Sequence, residues 1–130
     1  MKICLINNLY EPYGRGGAEQ VVKNLAQGLK TAGHEVFIIT TAKCPKETSL
    51  DGIKVYYIKP WNLFWFGEIN QKPAGLRFFW HGLDMFNWSG KRQTKKILEK
   101  EKPDLVNTHN LKGISYLIPR LLKKMKIRHL

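Results

Sequence analysis

The sequence predicts an α/β fold, a Rossmann-like three-layer αβα arrangement around a mostly parallel sheet, and three observations predict it. Short apolar runs of strand length recur along the chain, at Ile3 to Ile6, Val36 to Thr40, Ile53 to Ile58 and Asp104 to Thr108. Between most of them lie longer segments whose apolar residues repeat at i, i+3, i+4 and i+7, the period of one buried helix face. The first strand, helix and second strand form a βαβ unit, whose two strands run parallel. One hundred and thirty residues, 43% of them hydrophobic, suffice for one domain with a real core.

The stretch from Lys2 to Thr40 organises the rest. Ile3 to Ile6 leads into a turn-rich loop, Asn7 to Gly17, and from Ala18 onward Val21, Val22, Leu25, Ala26 and Leu29 mark the helix. Gly33 ends that helix in the left-handed C′ role, and the β-branched Val36 to Thr40 run is the second strand. The Gly14-Arg15-Gly16-Gly17 turn stands at the helix entrance. Backbone N–H groups there lack helical partners and carry partial positive charge, so a loop without side chains admits an anion such as a phosphate. It equally serves as a tight turn that permits close helix packing. The spacing fits neither the dinucleotide fingerprint, whose third glycine would fall at Glu19, nor a Walker loop, because no Lys-Ser or Lys-Thr pair follows.

After the second strand, Lys43 to Asp51 reads as a connecting loop, and Asp51-Gly52 turns the chain into the Ile53 to Ile58 strand, closed by Pro60. Trp61 to Phe66 is apolar and aromatic without a period, which suits core or lid packing, an acceptor-binding surface, or a wedge at a bilayer interface. From Pro73 a helix is predicted with Leu76, Phe79, Trp80, Leu83 and Phe86 on its buried face, His81 lying off that stripe with no second ligand at metal spacing. Ser89 is the expected cap of a helix from about Gly90 to Lys102 in which only Ile97 and Leu98 read as buried, and Pro103 stops it. The fourth strand exits at His109-Asn110. A last amphipathic helix runs through Ile114, Leu117, Ile118, Leu121, Leu122 and Met125, with Ser115 as its cap and Pro119 tolerated in the first turn. Ile127 to Leu130 looks like the opening of a fifth strand.

Ligands of open parallel sheets bind beyond the carboxyl ends of the strands. The first strand ends at Asn7-Asn8 and the fourth at His109-Asn110, so Asn7, Asn8, His109 and Asn110 are candidate cleft residues. A histidine there can contact a hydroxyl or support charge on a reacting sugar, or simply bond a neighbouring loop.

Composition bounds the partners. Twenty-two Lys and Arg against 10 Asp and Glu leave +12, and the excess is lopsided: residues 1–60 hold 8 basic and 5 acidic, residues 61–130 hold 14 and 5, a net +9. An anionic partner near the second half would fit, whether phosphorylated substrate, nucleic acid or an anionic bilayer, as would solvated helix faces. No helix-turn-helix, zinc or RNA-recognition signature accompanies the charge, which counts against nucleic acid. Only four apolar residues precede Asn7, too few for a signal-peptide core, and no apolar run approaches the roughly 18 residues of a membrane span. A cytoplasmic location is therefore expected, with Cys4 and Cys44 as reduced thiols.

Taken together, the proline-containing loop, Gly16-Gly17-Ala18-Glu19, Ala32-Gly33-His34-Glu35-Val36 and Pro103-Asp104-Leu105-Val106 resemble the N-terminal, acceptor-side domain of family 4 glycosyltransferases, over nearly the whole chain and in the family's order. The resemblance implies one half of a GT-B architecture, two Rossmann-like domains facing across a cleft. It implies sugar transfer from a nucleotide-sugar donor, with retention of configuration and without a cofactor or metal, to a glycan or lipid-linked acceptor. By resemblance Gly16 and Gly17 approach the donor phosphates, and His109 matches the second of two histidines in the family's fourth-strand motif, the one facing the transferred sugar. Asn107 stands where the first is common. The paired-glutamate motif of the family's donor-binding C-terminal domain has no counterpart here. The expectation is thus a domain over 1–130 that is incomplete at its C-terminus, lacks the donor half, is inactive alone and touches an anionic membrane peripherally. A nucleotide-binding Rossmann module of another enzyme, or a basic nucleic-acid or surface-binding domain, are the other readings.

Overall fold

In the computed structural model, which describes residues 1–14 and 16–130, the chain forms the expected α/β sandwich. Arg15 of the glycine turn lies outside the described residues. The strands are β1 (Lys2–Asn7), β2 (Glu35–Thr41), β3 (Lys46–Leu50), β4 (Ile53–Ile58), β5 (Leu105–Asn110) and β6 (Arg128–His129). The helices are α1 (Gly17–Thr31), α2 (Ala74–Met85), α3 (Trp88–Glu101) and α4 (Ile118–Met125), with a 3₁₀ turn at Phe66–Gln71 before α2. The sheet order is β3-β4-β2-β1-β5-β6, and every pairing is parallel except β3 with β4.

The period of two along each strand divides the core into two layers. Ile3 and Leu5 of β1, Val36 and Ile38 of β2, and Ile53, Val55 and Tyr57 of β4 pack with Val22 and Ala26 of α1. Their neighbours Cys4, Ile6, Phe37, Ile39, Tyr56 and Ile58 face the other way, against Leu98 of α3 and Ile118, Leu121 and Leu122 of α4. Gly33, at φ +89°, closes α1 as expected: the His34 N–H bonds the Leu29 carbonyl at 3.1 Å and the Gly33 N–H bonds that of Lys30 at 3.0 Å.

Four local expectations are corrected. Lys46–Leu50 is not loop but an antiparallel edge strand, made by Asp51 and Gly52, whose φ values of 51° and 70° form a two-residue hairpin turn matched to strand twist. Its polar sequence hid it, because its strand conformation rests on the ladder to β4 along one edge and not on an apolar period of its own. The cap of α3 is Asn87, whose Oδ1 accepts the Gly90 N–H at 2.9 Å, while Ser89 sits in the first turn; α3 also buries Gly90, Thr94 and Glu101 besides Leu98, leaving Ile97 partly covered. Ser115 binds the Leu117 N–H at 3.1 Å and closes a turn ahead of α4 instead of capping it, with Pro119 in the first helical turn. Finally, the α2 stripe is not a core face: Trp80 is 1% exposed, but Leu76, Phe79, Leu83 and Phe86 are 45%, 67%, 37% and 61% exposed. A periodic pattern reports that a face is apolar, not that something covers it.

Candidate functional site at the carboxyl end of the sheet

The strand order creates the site. β1 and β5 are parallel neighbours, yet the chain leaving β1 goes to α1 on one face and the chain leaving β5 goes to α4 on the other. The two exits diverge and open a crevice beyond the strand ends, the place where open α/β sheets bind ligands.

Register sharpens this. Ile6 of β1 pairs with Thr108 of β5, but the next residue, Asn7, pairs with Asn110, so His109 is an extra, unpaired residue in a bulge. A bulge interrupts side-chain alternation and re-aims the chain at the strand's end. His109 is exposed at its surface, and the partial burial of its ring lowers its pKa below the usual histidine value. It is therefore a neutral imidazole near pH 7, able to donate one hydrogen bond and accept another. Thr108 beneath it is held by His129 Nε2 at 2.8 Å, and the Oδ1 of the exposed Asn110 accepts the Lys112 N–H at 3.1 Å.

The partners on β1 differ in kind. Asn7 is fully buried; its Nδ2 donates to the Leu9 carbonyl at 2.7 Å, and its Oδ1 has no partner among the described residues. Asn8 is 2% exposed and acts through its carbonyl, which accepts the Thr41 hydroxyl at 2.6 Å. Both asparagines are thus buried at the end of β1, where the two exits diverge.

The glycines of the turn stand in different surroundings. A Cβ on Gly14 would stand 2.7 Å from Glu19 Cγ and 2.8 Å from Leu9 Cβ, so Gly14 serves close packing. A Cβ on Gly17 would meet nothing within 4 Å, and on Gly16 it would meet chiefly Glu19 Oε2 at 2.5 Å. Gly16 is the N-cap of α1 and has no side chain to satisfy the first-turn N–H groups. The α1 entrance is thus open at Gly17, with Glu19 folded back beside Gly14 and Gly16 as the one described acidic group in its first turn.

Residues the sequence did not single out complete the surroundings. Asp84 of α2 is fully buried, and both its oxygens accept the Gly113 N–H at 3.0 Å, tying α2 to the loop that follows β5. Burial raises its pKa to about 6, against partial opposition from that hydrogen bond and from Lys112. Gly113 sits at φ +86° with Phe66 against it, and a Cβ on Gly90 would lie 1.9 Å from the Ile114 carbonyl oxygen, so α3 presses directly on the same loop. The signal for Asp84 was available: it is the lone acid in a helix that is apolar and aromatic apart from Arg77 and His81. The Trp61–Phe66 segment is divided: Trp61 and Leu63 are exposed, whereas Trp80 Nε1 donates to the Phe64 carbonyl at 2.7 Å, Trp65 Nε1 donates to Thr41 Oγ1 at 3.1 Å, and Trp65 meets Tyr13 edge to face. Beside it a cavity of about 670 Å³ is lined by Lys43, Lys59, Trp61, Trp65, Glu68 and Ser89, off the carboxyl ends of β2 and β4.

Comparison with known proteins bears on the family and the fold. The chain is 35% identical over 130 residues, 98% of its length, to an uncharacterised 42.6 kDa protein in the cps region of Klebsiella pneumoniae, of which it covers 35%. It is 33% identical over 81 residues, 55% of the chain, to an uncharacterised glycosyltransferase of Methanocaldococcus jannaschii, covering 21% of that protein. The chain thus spans about a third or less of the relatives it matches. Sucrose-phosphate synthase from Thermosynechococcus elongatus superimposes with a TM-score of 0.63 at 18% identity, over 98% of this chain and 32% of that one, and so shares the fold of one α/β portion of a GT-B enzyme. The family description Glycosyltransferase Family 4 matches residues 15–130, nearly all of the chain, and the protein therefore belongs to the family 4 glycosyltransferases.

Proposed function

We propose that this chain is the acceptor-side half of a retaining glycosyltransferase that moves a sugar from a nucleotide-sugar donor to a glycan or lipid-linked acceptor. The donor-binding half lies outside these 130 residues, and the enzyme works in the cytoplasm, touching the inner face of the membrane peripherally. The observation that carries the reading is the β5 bulge, which sets an unpaired His109 at the switch-point crevice shared with the chain leading to the α1 entrance. At that entrance Gly17 leaves room for a donor phosphate to reach unpaired backbone N–H groups. A neutral His109 donates a hydrogen bond to a hydroxyl of the transferred sugar or supports charge that builds as the glycosidic bond to the nucleotide breaks. The Lys43, Lys59, Trp61 and Trp65 cavity offers aromatic faces and cations suited to an acceptor with sugar rings and acidic groups.

The test is transfer by the product of the full reading frame, with and without His109→Ala. The variant is expected to lose on the order of a hundredfold in kcat with donor Kd nearly unchanged, and the product anomer, read by NMR, to keep the donor's configuration. Unchanged kcat removes His109 from the site; an inverted anomer overturns retention. The 130 residues alone are expected to transfer no sugar, because both walls of a cleft are needed to align donor with acceptor and exclude water.

A further inference from the structure

The uncovered face of α2 is the largest feature that the transferase reading does not use. Leu76, Phe78, Phe79, Leu83, Met85 and Phe86 are between 37% and 76% exposed, and Trp88 at the start of α3 is 68% exposed. That is a contiguous apolar strip on one short helix, larger than scattered surface hydrophobes account for. α2 belongs to neither core layer. It is held off the sheet by Trp80 on the Phe64 carbonyl, Asn62 on the Trp80 carbonyl, and Asp84 on Gly113. All of these tethers reach segments that leave the carboxyl ends of β4 and β5.

The charges around the strip are of one sign. Residues 61–98 contain six Lys or Arg and two acids. Of the acids, Glu68 is paired with Lys43 and Asp84 is buried, so neither offers a free negative charge to the surface. Within the strip Lys91 Nζ lies 4.7 Å from the Trp88 ring centre, and beside it Lys72 Nζ and Lys112 Nζ lie 5.7 Å from the ring centres of Phe64 and Phe66 respectively, which pack on the buried Trp80. Arg77 is exposed on α2 next to Phe78. A protein partner with an ordinary mixed-charge surface would leave some of these cations unmatched. Phe, Trp and Leu set among Lys and Arg, on a helix too short to cross a membrane, match what an interfacial helix needs.

We infer that the outer face of α2, from Leu76 to Phe86 and extended by Trp88, docks on an anionic phospholipid surface. Because its tethers all reach the carboxyl end of the sheet, docking brings the crevice of His109 to the headgroup layer. The acceptor is then lipid-linked, a consequence that rests on the transferase reading, whereas the docking does not.

The test is co-sedimentation of the 130-residue chain with vesicles of phosphatidylcholine alone or mixed with phosphatidylglycerol. Binding is expected to the mixed vesicles and at least about tenfold weaker to neutral ones, since each Lys or Arg near an anionic surface is worth roughly fivefold. It should fall away as salt shortens the Debye length to ~3 Å near ~1 M. Phe78→Ser combined with Phe79→Ser should weaken it more than about tenfold without lowering the melting temperature, because both rings are already in water. Brominated lipids should quench emission from Trp88, read by comparison with Trp88→Phe. Equal binding to neutral vesicles, or full binding by the double variant, overturns the proposal. So does a concentration-dependent dimer that the double variant abolishes, or loss of vesicle binding in the full reading-frame product. Vesicle binding is read without sugar transfer, so its failure leaves the transferase reading standing, and an inactive site leaves docking standing.

Discussion

The two ends of the sheet each bury a carboxylate, and they treat it in opposite ways. At the amino end Glu101, in the last turn of α3, receives Lys2 at 2.6 Å, Lys54 at 2.9 Å and the Tyr56 hydroxyl. Burial alone would raise its pKa, but the hydrogen bonds from Lys2, Tyr56 and Lys54 outweigh it and hold the group at about 2. At the carboxyl end Asp84 has, among the described residues, only the Gly113 N–H, and burial lifts it to about 6. The same end holds Asn7 Oδ1, which has no partner among the described residues, and the bulged His109. The amino end has its hydrogen bonds completed from within and is a staple joining β1, β4 and α3. The carboxyl end leaves polar capacity open among the described residues.

The largest expected effect comes from removing the staple. Glu101→Ala should cost about 3 kcal/mol, near the low end for breaking a buried ion pair because Lys2 and Lys54 can still reach water. That corresponds to a fall in melting temperature on the order of 10 °C, and a loss below about 1 kcal/mol would show that the network is ornamental.

pH should separate the two ends with effects of about 3 kcal/mol at most each, from shifts of about two pKa units. Asp84 is raised in the folded state, so the native protein binds more protons than the unfolded chain between its usual value near 4 and about 6, and stability falls as pH rises through that window. Glu101 is lowered, so its contribution is present above about 4.5 and is lost as pH falls towards about 2. Denaturant titrations across pH should show Asp84→Asn abolishing the slope between pH 4 and 6, and Glu101→Gln flattening the one below 4.5. If Asp84→Asn leaves the upper slope intact, another group carries it.

The smallest effects lie within the glycine turn. Gly14→Ala should cost about 1–2 kcal/mol through overpacking against Leu9 and Glu19. Gly17→Ala should stay within about 0.5 kcal/mol, since its Cβ enters open space. In the full reading-frame product Gly17→Val should weaken donor binding far more than it changes the melting temperature. Equal stability losses at Gly14 and Gly17 would mean that the turn serves packing throughout.

Much of this was legible in order along the chain. The βαβ start, the glycine turn, the Gly33 stop, Pro119 in a first turn and the final parallel strand follow from periodicity and from residues with narrow backbone preferences. His109 and Asn110 were recognisable as a strand exit. The bulge at His109 was not, because it depends on how β5 registers against β1, about a hundred residues away. The hub role of Glu101 was hidden for the same reason: its partners Lys2, Lys54 and Tyr56 come from two strands distant from α3 in sequence.

The sequence by itself determined which segments are strands or helices wherever a local rule applies, because steric preference and a period of two or 3.6 act over a few residues. Tertiary structure alone decided that Lys46–Leu50 is an edge strand, that α2 turns its apolar face outward, and that one buried carboxylate is paired with cations and the other is not. Coverage, register and charge pairing are relations between distant residues, and no pattern within either partner records them.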